Sequence, residues 1–403
     1  MTDADALVLG ERDLPAGLVH ETTRRLLTTG GLPARHPLMR FRPVAEARVP
    51  TVREHLAERG AAADELPDAL AGLLIVGRPT ADGDEADEIV VDGGTGRVST
   101  LWLYEKDPPS ARVTPFAPSL EALAGFLAGF SATMASFTAR PAEARGPAAV
   151  EEATRTLLAC FADADWDEGT DWGEGRSLPA YWRILARIRP LALIAGVGGG
   201  AAGAGESEGG ADGEGDDGGA RGGLRLALPP GLLDAEFDGA AELVRFTPDE
   251  LPGALTHAPT RRFLVETGLP ADADLFSLWQ DEWKLRAPAG GRPLICLGGL
   301  GDYDLEAVLD GDTGVLYHRA YDGEELTPLN TDVSTLLFAL WLYRREQRID
   351  AVEEFTDGSY LHLAEAMTAA LASVDPLACA PASGFDDFRY WPEVFHDEAG
   401  GVL

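Results

Sequence analysis

Two glycine-rich patterns in this chain of 403 residues have the spacing of chemical motifs. Gly198-x-Gly200-x-x-Gly203 matches the dinucleotide-binding fingerprint, and Gly205-x-Ser207-x-Gly209 matches a nucleophile elbow. Each needs a strand before it and a helix after it, so that phosphate meets a helix N-terminus or a serine stands on a sharp turn. Both fall in 196–223, where half of the 28 residues are glycine and no helix can follow. In such sequence they arise from composition.

Other candidates also favour plain readings. Asp310-Gly-Asp312-Thr-Gly314, with Asp302 and Asp304 upstream, hints at a calcium loop, but the full EF-hand spacing and its closing glutamate are missing. A hairpin turn is the expectation. Seven histidines (His20, His36, His55, His257, His318, His362, His396) form no HExxH pair, and the deaminase signature is absent. His20 and His257 recur in related surroundings with no recurring acid or base beside them, so local capping is expected. The pairs Arg24-Arg25 and Arg261-Arg262 should bridge to acidic strands of their own domain. Trp166 and Trp172, in an acid-rich segment, form either an exposed contact surface or a satellite core. Cys160, Cys296 and Cys379 are too scattered for a disulfide framework or zinc site and should be small buried apolar residues. No cofactor or metal is expected, and the chain reads as no enzyme.

Charge narrows the partners. Sixty-seven acidic against 33 basic residues give a net charge of −34. Such a chain repels phosphate backbones, which excludes sequence-independent nucleic-acid binding. The N-terminus lacks the pattern of a signal peptide, and no stretch nears about 18 uninterrupted apolar residues, so no membrane span and a cytoplasmic location are expected. Only Lys106 and Lys284 are lysines, which reads as the codon bias of a GC-rich genome.

What must position these residues is a unit that occurs twice. Residues 12–33 (RDLPAGLVHETTRRLLTTGGLP) and 249–270 (DELPGALTHAPTRRFLVETGLP) align without a gap and agree at 11 of 22 positions. The echo continues in order: LLIVG (73–77) with LICLG (294–298), IVVDGGTG (89–96) with AVLDGDTG (307–314), TPFAPSLEALAGFLAGF (114–130) with TPLNTDVSTLLFALWLY (327–343), and Tyr181-Trp182 with Tyr390-Trp391. Each copy opens with a helix through LPAGLVHETTRRLLTTG or, where Pro259 intervenes, from that proline. A strand–turn–strand unit follows, marked by Asp-Gly between β-branched runs. A last helix, 119–130 or 332–343, is apolar nearly all round and should lie buried on the sheet. The fold class is α+β, with two tandem related domains, each a mainly antiparallel sheet packed with helices. The expected boundaries are 1–195 and 224–403. Between them, 196–223 cannot bury enough surface to offset its ordering entropy and reads as a flexible linker or disordered loop.

The run T-R-R-F-L-x-x-x-G-L-P, an apolar strand ending Leu-Gly, V-L-D-G-x-T-G-x-V, and P-L-N-x-x-x-x-x-F resembles the SUKH superfamily of immunity proteins, most closely its fourth subgroup, common in actinobacteria. The second copy matches best, with Asn330 and Phe338 at family positions, whereas the first has Ala117 in place of Asn330. The resemblance implies an α+β fold and a non-catalytic role in a bacterial polymorphic toxin system: binding and neutralising a protein toxin, often a nuclease or nucleic-acid deaminase. Residues 1–195 carry 29 acids and 20 bases, but 224–403 carry 32 and 12. An acidic inhibitor suits the basic, phosphate-binding site of a nuclease and is steered to it quickly. The candidate partner-binding residues are therefore Asp302, Tyr303, Asp304 and Glu306, with Tyr321, Asp322, Glu324 and Glu325 after the hairpin. They combine acid and tyrosine in loops beside the sheet, as interfaces favour. A regulatory scaffold for another cytoplasmic partner, and an enzyme with a site assembled from scattered residues, remain alternatives.

Overall fold

The structure, a computed structural model, describes residues 6–80, 87–103, 107–141, 144–166, 178–195, 224, 226, 228–229, 232–237, 243–279, 293–301, 304–321, 323–382 and 388–399. The glycine-rich segment 196–223 with both its motifs, Trp172, Asp302, Tyr303 and Asp322 lie outside the described residues. The chain divides into two compact units, Met1–Met134 with Arg155–Arg183, and Ala135–Thr154 with Ile184–Leu403.

Both copies follow one plan. The first runs through α1 (Glu21–Arg25), β1 (Met39–Arg40), β2 (Leu74–Pro79), β3 (Glu88–Val91), β4 (Val98–Trp102), β5 (Arg112–Ala117), α2 (Leu120–Thr138), α3 (Pro147–Ala162) and α4 (Ala180–Ile188). The second runs through α5 (Ala258–Glu266), β6 (Ser277–Leu278), β7 (Leu294–Leu300), β8 (Leu305–Asp310), β9 (Leu316–Ala320), β10 (Thr327–Asn330), α6 (Val333–Glu353), α7 (Thr356–Ala372) and α8 (Tyr390–Ala399). Each set of five strands is an antiparallel meander in chain order. The α+β class with two five-stranded antiparallel sheets, each accompanied by a two-stranded ribbon (Ala6–Leu7 with Leu32–Pro33, and Leu243–Val244 with Leu269–Pro270), is thus the architecture of the described residues. The helices expected to be last are not: two more follow each of them.

The elements form where local rules demand. A β-bulge falls at Ile75/Gly77 in β2 and at Cys296/Gly298 in β7. A Cβ on Gly77 would overlap the Arg40 carbonyl oxygen, and one on Gly298 would overlap that of Ser277. Only glycine lets the short edge strand approach this closely. Asp332 caps α6, accepting from Ser334 N at 2.8 Å and Thr335 N at 3.2 Å. Every residue from Val333 to Tyr343 is buried, as the apolar pattern requires.

Helix α1 is shorter than its pattern. Val19 N and His20 N both donate to Gly93 O, 2.9 Å away on the hairpin turn, so the backbone before Glu21 is engaged outside any helix. Residues Leu26–Gly30 then continue as a wider π turn. By length and composition α2 is apolar enough to cross a membrane, although its apolar run is not uninterrupted. Its Leu120, Leu123, Phe126, Leu127 and Phe130 form one buried stripe, while Gly125, Ala128, Ser131 and Ala132 face outward. That is the pattern of a core helix. Phe126 meets Phe161 at 5.5 Å and Trp182 at 5.0 Å. Burying such rings contributes about 2–3 kcal/mol each.

Candidate partner-binding site

The polar residues singled out by type are mostly engaged in holding the fold. His20 and His257 stand at the N-caps of α1 and α5. Thr23 Oγ1 lies 2.9 Å from His20 Nδ1, and Thr260 Oγ1 lies 2.8 Å from His257 Nδ1. Each imidazole sits over the hairpin glycine of its own copy, Gly96 (φ +77°) or Gly314 (φ +80°), where any side chain would strike the ring. Histidine, threonine and glycine therefore form one lock between the first helix and the hairpin, in both copies. In the hairpins Asp92 Oδ1 accepts from Gly94 N at 2.8 Å and Thr95 N at 2.9 Å, and Asp310 Oδ1 accepts from Asp312 N at 3.0 Å and Thr313 N at 3.1 Å. The 310–314 motif is a turn. The backbone hydrogen bond from Thr95 holds the Asp92 carboxyl below the usual range.

Two local expectations need correction. Arg24 and Arg261 do not reach acidic strands. Arg24 donates to Leu18 O at 3.0 Å and pairs with Glu11, and Arg261 donates to Leu255 O at 3.0 Å and Pro248 O at 3.1 Å. They clamp the loop that precedes their own helix, because its carbonyls turn toward the guanidinium before any strand can. The cysteines are free but half-buried. Arg319 donates to Cys296 Sγ at 3.3 Å, so that thiol sits in a polar setting. Desolvation raises the pKa of all three thiols above the ordinary value, which disfavours the thiolate.

His36 and Ser131 lie 2.9 Å apart and resemble a base and nucleophile. The geometry excludes that role. His36 Nδ1 accepts from Leu38 N at 3.2 Å, so the proton of the neutral ring is on Nε2, facing Leu127 O at 3.1 Å. A protonated Nε2 cannot take a proton from Ser131. Among the described residues there is no group of three or more His, Cys, Asp or Glu side chains arranged to hold a metal ion. Trp166 stacks on Phe126 at 6.0 Å and donates to Phe161 O at 3.0 Å, so it belongs to a satellite core.

Of the eight candidate binding residues, five are described. Asp304, Tyr321, Glu324 and Glu325 are exposed. The fold brings two of them together: Tyr321 N donates to Asp304 O at 3.1 Å, joining the end of β9 to the turn before β8. Glu306 differs. It lies inside β8, 5 % exposed, opposite Arg319 on β9, and the two side chains form an ion pair. Missed from the sequence is Trp279, which follows β6 and meets Tyr321 edge-to-face at 6.0 Å. A lone tryptophan beyond a two-residue strand carries no periodicity that could have flagged it. The result is a corner of the second sheet where an exposed tyrosine leans on a tryptophan beside Asp304, with the exposed Glu324 and Glu325 three and four residues further along the chain.

Asn330 is no surface residue. It is fully buried, donates to Asp375 Oδ2 at 3.1 Å and accepts from Trp391 Nε1 at 3.0 Å. Thr331 N and Thr331 Oγ1 give Asp375 two more hydrogen bonds, at 2.9 and 2.7 Å. In the first copy Trp182 Nε1 donates instead to Phe116 O at 2.7 Å. Tyr181 and Tyr390 donate to Leu38 O and Leu275 O, which are equivalent positions.

These residues define a duplicated α+β protein whose polar groups mainly maintain its architecture, with an acidic, aromatic corner on one copy. A family model described as SUKH-4 immunity protein matches the chain twice, over residues 4–166 and 228–397, and the chain belongs to that family as a tandem duplication. Membership carries a toxin-neutralising immunity role on a protein toxin, in a family that generally acts without catalysis. Searches of curated proteins and of solved structures returned no significant match.

Proposed function

We propose that the second copy is the toxin-facing half and that it engages a basic toxin, a nuclease or nucleic-acid deaminase, in the cytoplasm. The observation that carries this reading is the corner where Trp279, Tyr321 and Asp304 meet, followed in the chain by the exposed Glu324 and Glu325. An aromatic anchor inside a charged rim is the anatomy of a binding hot spot. The copy that holds it has 32 acids against 12 bases, which favours fast, salt-sensitive capture of a basic partner. Asp302, Tyr303 and Asp322 flank the same loops in sequence and belong to the proposed surface. Glu306 supports it from inside the sheet.

The test is binding of the toxin encoded beside the gene, measured by calorimetry across a salt series. Changing Asp302, Asp304 and Glu324 to lysine should weaken affinity at least about 100-fold and flatten its salt dependence. Tyr321→Ala should cost about 2 kcal/mol, the scale of an interface hot spot. Unchanged affinity and unchanged salt dependence in the triple variant would sink the reading.

A further inference from the structure

The family match to the first copy ends at residue 166 and the second begins at 228. The stretch 184–195 therefore lies outside both, yet it is core. Ile184, Ala186, Ile188, Leu191 and Leu193 are each at most 2 % exposed. The stretch is the end of α4 followed by a 3₁₀ segment, Arg189–Ala195, where Pro190 prevents α-helical continuation. It belongs to the second compact unit. There its 3₁₀ segment packs on α7, and Arg187 forms an ion pair with Glu353 at the end of α6. The Glu353 side chain is 11 % exposed, so the arginine partners a carboxylate largely withdrawn from water.

We infer that 184–195 is a built-in ligand for the helical layer of the second unit. It is an apolar segment with two arginines, Arg187 and Arg189, carried on the chain ahead of the glycine-rich stretch, and it closes a groove that α6 and α7 would otherwise leave open. The second matching stretch, 228–397, is then not a self-sufficient module. The copy with the acidic corner depends on residues that precede it by more than the whole of 196–223. Strong apolar burial with a charged latch, here Arg187 on Glu353, is how a peptide segment is held in a helical groove.

The test is hydrogen exchange resolved by mass spectrometry on the intact chain, and it needs no toxin. Leu191→Asp with Leu193→Asp places two unpaired carboxylates in the groove. Protection of amides in α6 and α7 should fall at least about 10-fold, while amides of β2 to β5 keep theirs. Leu191→Ala, which removes apolar contact without adding a charge, should give a smaller loss in the same helices, and Arg187→Glu a loss centred on the end of α6. Unaltered protection of α6 and α7, or loss confined to β2 to β5, overturns the inference.

Discussion

Leu101 and Arg319 hold the same place in two related sheets, and their surroundings differ completely. Leu101 is fully buried in an apolar cluster with Ile75, Val90, Val52, Leu56, Leu66 and Ala71. Three of these come from sheet strands and the rest from residues 52–71, the long connection between β1 and β2. In the second sheet Ile75 is replaced by Cys296 and Leu101 by Arg319, and the connection between β6 and β7 is only 279–293. Arg319 bonds to both Glu306 and Cys296. Even the shared carboxylate is served differently. Glu88, equivalent to Glu306, takes its arginine from β2, Arg78 at 3.2 Å, rather than from the hairpin partner strand. At the neighbouring corner, Leu103 and Ala111 pack on the first copy's cluster, where the second copy has Tyr321 and Glu324. Duplication kept the backbone devices and released one sheet face to diverge. The first copy lines that corner with apolar side chains, and the second carries Tyr321 and Glu324 there.

The largest break in this comparison should come from Arg319→Leu, which gives the second sheet the first sheet's residue and takes from Glu306 its ion-pair partner. Glu306 would keep a buried charge without its partner, at a cost of about 3–5 kcal/mol in chemical denaturation. Adding Glu306→Gln should recover most of that loss. A cost below about 1 kcal/mol would mean that the ion pair is incidental.

Asn330→Ala makes the second copy resemble the first at Ala117. The loss should be roughly 2–3 kcal/mol, because Trp391 Nε1 and Asp375 each lose a buried partner and the backbone solution used by Trp182 is not in place. Equal stability of mutant and parent would show that the tryptophan finds a carbonyl as it does in the first copy.

His20→Ala and His257→Ala sharpen the part the copies share. Each should destabilise its own unit by about 1 kcal/mol, His20 as a lost helix cap and His257 as the lost hydrogen bond to Thr260. Local hydrogen exchange in α1 and α5 would read the two separately, and a clear difference between them would break the symmetry of the lock.

The smallest effect concerns pH and belongs to the first copy alone. Burial pushes the pKa of the His36 imidazolium below the ordinary 6.5. The folded state therefore prefers the neutral ring, and stability present above about pH 6.5 is lost as pH falls toward the folded value. The equivalent position in the second copy is the fully buried Ala273. Lowering pH from 7.5 to 5.5 should loosen residues 36–40 in hydrogen exchange but not 273–277, and His36→Asn should abolish the difference.

Much of the fold was legible in the chain because the relevant signals are local. Asp-Gly between β-branched runs specifies a hairpin over a few residues, and Pro259 sets where α5 starts. The paired echoes of 12–33 and 249–270 fixed the duplication. The candidate site was legible only in part. Exposed acids and a tyrosine near a turn could be marked, but Glu306 reads like its neighbours and is nevertheless inside the sheet, because the face a strand residue occupies depends on its register. Trp279 and Tyr321 meet across more than forty positions of chain, and nothing in either segment announces the other.

The sequence by itself therefore determined the two-fold repeat, the α+β class, the turns and the acidic bias, since periodicity, glycine conformation and charge act within a few residues or add without regard to geometry. Only the tertiary structure decided what each polar residue is for. It set the histidines over glycines, the arginines on loop carbonyls, Asn330 between Asp375 and Trp391, and Arg319 beside a carboxylate where its counterpart lies under leucines. Those assignments depend on which distant groups share a dry space, where one unpaired charge or hydrogen bond costs as much as a sizeable part of the net stability of a domain.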